Sequence, residues 1–356
     1  MSPRTLDVKR GIVGLRRVAF LLERELAESH RIKAFRVAAN TIESLADGDA
    51  AGRVQRGTLT DLPGVGPKTS SVFVECAAGG VPSYLAELES KPPPDPGAGA
   101  ELLAQLRGDL HVHSDWSDGG SPIREMAVTT AEMGHEYAVL TDHSPTLRVA
   151  NGLSPERLSK QLDVVDQVNS ELAPFRLLTG IEVDILEDGS LDQEPALLER
   201  LDVVVASVHS KLRSSREVMT RRMVTAISDP HMDVLGHCTG RMVAGGRKRP
   251  ESEFEADLVF EACRQFGVAV EINCRPERLD PPRRLIRQAL DQGCHFSIDT
   301  DAHAPGQLAW QAYGCARAAE SGVPAERVIN TWPADELLEW CIRSSGRAAD
   351  ARPLAE

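Results

Sequence analysis

The chain has 356 residues, with 40 Lys+Arg against 53 Asp+Glu for a formal charge of −13, and is 42% apolar and 26% charged. That supports a sizeable core and, at roughly 100–200 residues per domain, two domains. No apolar run approaches the roughly 18 residues of a membrane span. The start, MSPRTLDVKR, has no apolar signal core, so the expected setting is the cytoplasm, with no membrane partner. The seven cysteines stand singly and form no CxxC pair, which argues against a disulfide framework or a thiolate zinc site. Taken alone, the acidic balance counts against a nucleic-acid partner.

The charge is unevenly spread. Residues 1–90 carry 12 basic and 11 acidic side chains, whereas residues 91–356 hold the other 28 and 42, a net −14. The first segment reads as helical. Ile12, Leu15, Val18, Ala19, Leu22 and Leu26 recur at helical spacing, and so do Phe35, Ala38, Ala39, Ile42 and Leu45. Further on, LPGVG (62–66) lies between helical stretches and reads as a helix-hairpin-helix signature. Gly64, Val65, Gly66 and Lys68 are its candidate DNA-binding residues: the glycines allow a phosphate close to the backbone, and the next helix N-terminus offers free N–H groups.

KPPPDPGAGA (91–100) then breaks the chain, because three prolines cannot continue a helix and the Gly/Ala tail is flexible. The expected domains are a helical module over 1–90, a linker over 91–104, a catalytic domain over 105–345 and a tail over 346–356. In the catalytic segment, β-rich runs at 109–113, 137–143, 175–183, 202–209, 233–237, 268–273 and 294–301 alternate with amphipathic stretches. Seven such βα units predict a (β/α) barrel.

Six of the ten histidines end or directly follow those runs: His111, His113, His143, His209, His237 and His303. Asp118, Glu182 and Asp301 occupy similar positions. A parallel barrel gathers all strand C-termini on one rim, so these nine would converge there. Imidazole with carboxylate and no thiolate suits Zn²⁺, Mn²⁺ or Fe²⁺.

The motifs GDLHVHSDWSDG (108–119), AVLTDHSP (138–145), VANGLSPERL (149–158), TGIEVDILEDGSLD (179–192), LDVVVASVHS (201–210), DPHMDVLGHCTGR (229–241), EINCRPERLD (271–280) and IDTDAHAPGQL (298–308) resemble the polymerase and histidinol phosphatase (PHP) family. In particular they resemble the C-terminal PHP domain of bacterial family X DNA polymerases. The resemblance implies a distorted (β/α)7 barrel whose mouth holds three divalent metal ions. One would take His111, His113, Glu182 and Asp301; a second Asp118, His143 and His303; a third His209 and His237, with Glu182 shared. Hydrolysis of phosphate esters by metal-activated water follows.

Arg275 would clamp a phosphate or lie on the surface, and Asp142 would orient His143 or cap a turn. Trp116 would stack on a base or pack at the rim. Asp299 replaces the Asn usual in the family, either tuning the site or facing away. His30, His135, His231 and His295 match no ligand position. HRIKAFRVAANTIESL (30–45) with LPGVG resembles the 8-kDa domain of family X polymerases. The lyase lysine of that domain is Val72 here, and no palm separates the two modules, so neither lyase nor polymerase activity is expected. Two substrates remain open: DNA 3′ ends, or a small phosphate ester of the histidinol-phosphate kind. A DNA-binding adaptor with a structural metal is a third reading, weakened because a structural zinc needs only four ligands.

Overall fold

The structure, a computed structural model, describes residues 6–46, 48–246 and 248–345; the expected tail over 346–356 lies outside them. The chain divides into two compact units between Pro93 and Pro94.

The first unit is helical: α1 (Val8–Arg24), α2 (Ser29–Glu43), α3 (Asp49–Arg56), α4 (Pro67–Ala77) and α5 (Ser83–Glu89). Asp7 opens α1 by accepting a hydrogen bond from the Arg10 amide at 3.1 Å. The periodic apolar residues of α1 and α2 pack with Val72, Phe73 and Cys76 of α4 in one cluster. Inside it Arg36 and Glu23 form a buried pair 2.7 Å apart.

The second unit opens earlier than the expected linker allows. Residues 97–99 form a 3₁₀ turn and α6 (Ala100–Leu103) follows, with Leu102 buried. A side chain on Gly99 would come within 2.3 Å of the Cys315 backbone. The Gly/Ala stretch therefore serves close packing, and only its proline half resembles a connector.

Then come β1 (Gly108–Val112), α7 (Ile123–Glu132), β2 (Tyr137–Leu140), α8 (Pro155–Leu172), β3 (Arg176–Asp184), α9 (Pro195–Leu198), β4 (Val203–Ser207) and α10 (Arg216–Ile227). The chain continues through β5 (Val234–Leu235), α11 (Ala256–Phe266), β6 (Ala269–Asn273), α12 (Arg283–Asp291), β7 (Phe296–Asp299), α13 (Gln311–Glu320) and α14 (Ala334–Ser345). The seven strands pair in sequence order, every neighbour parallel. The result is a nearly closed barrel, as the alternation of strand and helix predicts.

The seam between β7 and β1 is closed mostly by side chains. Asp299 Oδ1 accepts from the Leu110 amide at 2.9 Å, and Asp109 Oδ1 accepts from the Thr300 amide at 3.2 Å. Asn330 accepts from the Ile298 amide and donates to the Gly108 and Ile298 carbonyls; Gln311 donates to the same two carbonyls. Asp299 is thus a buried seam residue, which answers the question its sequence position raised.

Strand residues alternate faces, so Tyr137, Val139, Leu178, Val203, Val205 and Ala269 share a face with His143, Glu182, His209 and Glu271. These apolar residues form one cluster, floored by Ile329 and by Leu337 and Cys341 of α14. The barrel is therefore packed below and polar above.

Candidate metal centre

The strand ends bring all nine expected ligands to the mouth. Glu182, at 1% exposure, is central. Its Oε2 lies 3.3 Å from His111 Nε2, 3.5 Å from His113 Nε2 and 2.9 Å from His143 Nδ1. Its Oε1 lies 3.2 Å from His209 Nε2 and 2.8 Å from His237 Nε2. Asp118 Oδ1 stands 3.5 Å from His143 Nε2 and 3.3 Å from His303 Nε2, and Asp301 Oδ1 stands 3.4 Å from His113 Nε2. Asp118 is the most open of the nine, its side chain 37% exposed against 21% for His303.

Three groups place their ligand atoms within 4.8 Å of one another: His113, Asp118, His143 and His303; His111, His113 and Asp301; His143, Glu182 and His209. The buried clusters fit a multinuclear metal site. These groups overlap more than the expected partition does. The first group shares His113 with the second and His143 with the third, because the two rings lie side by side with centroids 4.5 Å apart. His237 touches Glu182 without joining the third group.

The donor chemistry fits metal binding. His111 Nε2, both nitrogens of His113, His143 Nδ1 and Glu182 Oε2 are buried with no hydrogen-bond partner. Burial would raise the Glu182 carboxyl, but His209, His111 and His143 hold it well below its usual range. Burial and the neighbouring His303 and His143 push His113 well below the ordinary imidazole value, which leaves one ring nitrogen unprotonated and able to coordinate. A cluster of buried lone pairs without protons to meet them is what cations occupy.

A supporting layer escaped the sequence reading. His111 Nδ1 lies 2.6 Å from Glu271 Oε1 and His209 Nδ1 3.2 Å from Asp184 Oδ1. Each carboxylate fixes the tautomer that aims Nε2 at Glu182. Asn273 donates to Asp301 Oδ2 at 3.1 Å, and Arg278 Nε lies 3.3 Å from the same oxygen. Signals for two of them were present: Glu271 interrupts an apolar strand, and Asp184 follows Glu182 at the same-face spacing.

Asp142, expected as a catalytic or orienting group, contacts no ligand side chain. It accepts from the Ser114 amide at 2.8 Å, from the Ser114 and Ser117 hydroxyls at 2.5 Å each and from Gln161 at 2.6 Å. It anchors the loop that carries Asp118. That loop also needs Gly119, where a Cβ would fall 2.6 Å from the Ser114 backbone. Arg275 lies beside the site, but its guanidinium is taken by Glu277 at 2.8 Å, the Asp301 carbonyl at 2.8 Å and His303 Nδ1 at 3.0 Å. It positions ligands rather than standing open for a phosphate. Trp116 packs against core residues, and its carbonyl accepts from Asn151 and Arg157.

In the helical unit, the four hairpin residues differ in character. Gly64 has φ +78°, and a side chain there would meet Val37 at 2.3 Å, so it serves the hairpin's own packing. Val65 is 4% exposed and belongs to the core. Gly66 faces open space, and Lys68 Nζ sits 3.5 Å from the centroid of the Tyr84 ring. Val72 is buried. Among the described residues no helix is long and apolar enough to cross a membrane.

Residues 109–275 match the PHP domain family. The chain is 40% identical over 228 residues to "DNA polymerase/3′-5′ exonuclease PolX" of Bacillus subtilis (strain 168), a match covering 64% of this chain and 40% of that protein. It is 25% identical over 234 residues to a protein of Thermoanaerobacter sp. (strain X514) named "Probable phosphatase", covering 63% and 89%. A histidinol phosphate phosphatase from Lactococcus lactis, solved with zinc, L-histidinol and phosphate, aligns with TM-score 0.46 and 17% identity over 62% of this chain and 95% of that one. The chain thus spans 40% of the length of the PolX it matches. With buried His/Asp/Glu clusters at the mouth of a seven-stranded parallel barrel and the family match running from β1 to the end of β6, residues 109–275 form a PHP domain whose mouth fits a multinuclear metal site.

Proposed function

We propose that the chain processes DNA 3′ ends, as a 3′–5′ exonuclease or 3′-phosphatase, without polymerase or lyase activity. The observation that carries this reading is the 40% identity over 228 residues to PolX, a protein named as a DNA polymerase and 3′-5′ exonuclease. The LPGVG hairpin supports it through Gly66, which leaves its surroundings open for a backbone phosphate.

The nine rim residues His111, His113, Asp118, His143, Glu182, His209, His237, Asp301 and His303 would hold three divalent ions, zinc, manganese or iron. Bound there, the ions supply an activated water and a positive field for the charge that develops on phosphorus-bound oxygens. Glu182 is shared because it stands within reach of five imidazoles. Glu271 and Asp184 orient His111 and His209, while Asp142 holds the Asp118 loop at the open side. Arg275 keeps the Asp301 carbonyl and His303 in place.

The test is pure full-length protein with Mn²⁺ on 5′-labelled oligonucleotides ending in 3′-hydroxyl or 3′-phosphate, beside histidinol phosphate. Shortening from the 3′ end or release of 3′-phosphate is the expected result. Turnover of histidinol phosphate alone would move the chain to the second reading, a small-molecule phosphomonoesterase, which the low-identity phosphatase relative favours.

A further inference from the structure

The rim around the metal centre is electrostatically divided. The loops after β1, β2 and β3 expose Asp115, Asp118, Glu187, Asp188 and Glu194 against one exposed cation, Arg148. The loops after β4, β5 and β6 carry the opposite sign. Lys211, Arg213 and Lys248 are exposed there and make no ion pair among the described residues. Arg241, Arg249 and Arg278 stand half-buried behind them.

Most of the acids of this second sector are paired. Glu251 pairs with Arg241 at 3.1 Å and with Arg284, and Glu277 pairs with Arg275 at 2.8 Å. Glu253 and Glu255 face Arg216 at 3.8 and 3.6 Å. Asp280 is buried and accepts from Thr239.

These three loops also form one wall. Ser252 donates to the Leu212 carbonyl at 2.9 Å, and a Cβ on Gly240 would meet Leu212 at 2.8 Å, which joins the β4 and β5 loops. The Val243 amide donates to the Glu277 carbonyl at 2.8 Å, and Arg241 Nε donates to the Arg278 carbonyl at 3.1 Å, which joins the β5 and β6 loops. A short antiparallel bridge between Met242 and Arg249 stiffens the β5 loop and places Lys248 just beyond it.

We propose that the wall over β4, β5 and β6, carrying Lys211, Arg213 and Lys248, is the track along which a single nucleic-acid strand lies as its end enters the metal centre. This rests on the nucleic-acid reading of the site given above. A phosphate monoester of a small molecule is covered by the metal ligands alone and gains nothing from cations beyond them. A strand carries one further charge per nucleotide and must leave the mouth over some sector. Over β1 to β3 it would run against four exposed carboxylates besides the metal-holding Asp118; over β4 to β6 it meets uncompensated cations.

The test compares the full-length wild type with Lys211→Gln/Arg213→Gln/Lys248→Gln and with the opposite-sector control Glu187→Gln/Asp188→Gln/Glu194→Gln. Each is followed at several salt concentrations on a single-stranded oligonucleotide and on bis(p-nitrophenyl) phosphate. In the first variant the ratio of kcat/KM for oligonucleotide to that for the small ester should fall about tenfold at low salt. Its log–log salt slope on oligonucleotide should become shallower by about 2, from three lost contacts at roughly 0.7 each. The control should change neither. Oligonucleotide turnover with an unaltered ratio and slope in the first variant overturns the track while leaving the nucleic-acid reading intact. So do equal and opposite effects of the two variants, which would mean that only overall charge matters. A wild type that turns over the small ester but no oligonucleotide overturns both.

Discussion

The lower and upper halves of the barrel interior use the same strands and the same strand face, yet their chemistry is opposite. On β2 the inward sequence runs Tyr137, Val139, Thr141, His143; on β4 it runs Val203, Val205, Ser207, His209; on β6 it runs Ala269, Glu271, Asn273. Below, apolar side chains close on α14 and hold the strands together by burial. Above, imidazoles and carboxylates are buried with lone pairs unmet. Burying polar atoms without partners costs stability, so the upper half depends on the lower half for its rigidity and on cations for its compensation. Loss in one half should therefore read out differently from loss in the other.

The largest effect is expected at Glu182. Glu182→Gln removes the charge that faces five imidazoles, and turnover should drop about a thousandfold as several kcal/mol of metal-borne stabilisation is lost. Elemental analysis should show fewer ions per chain. Full metal content with full activity would remove Glu182 from the centre. In the lower half, Leu337→Ala should cost about 3 kcal/mol of folding stability, read by denaturant unfolding, through the cavity left under the strands. Its metal content at 25 °C should match wild type; a parallel loss of metal would show that the halves are not separable.

Glu271→Gln leaves the first ligands in place but weakens the orientation of His111. Metal affinity, titrated with a competing chelator, should fall between about 10- and 100-fold. The smallest effect is expected at the boundary. Thr141→Val removes the side-chain acceptor of the Val112 amide and should cost about 1 kcal/mol, with kcat nearly unchanged.

The strand order and the gathering of the nine expected residues at one rim were readable because each rests on a local pattern: short β-rich runs, and histidines or acids at their C-terminal ends. How close residues of different strands come was not readable, since His113 and His143 are brought side by side from β1 and β2 at a distance only packing sets. Arg275 looked like a phosphate clamp because it follows β6; Glu277 stands only two residues on, but nothing in sequence marks the Asp301 carbonyl and His303 as its other partners. Asp142 looked like a ligand's helper because it precedes His143, but successive strand residues face opposite ways, and it turned toward Ser114 and Gln161 instead. Val65 was misread for a similar reason: in a hairpin between helices the middle residue points inward as readily as outward.

The latch between β7 and β1 gives the barrel a preferred place to open. At the other junctions the ladder is mostly main chain to main chain and tolerates exchange of most side chains. At the seam the Leu110, Thr300 and Ile298 amides are held by Asp299, Asp109 and Asn330, so their hydrogen exchange reports side-chain rotamers rather than strand separation. Closure of the cylinder is thus written in individual amino acids, and a single substitution can unlatch it where six other junctions would hold.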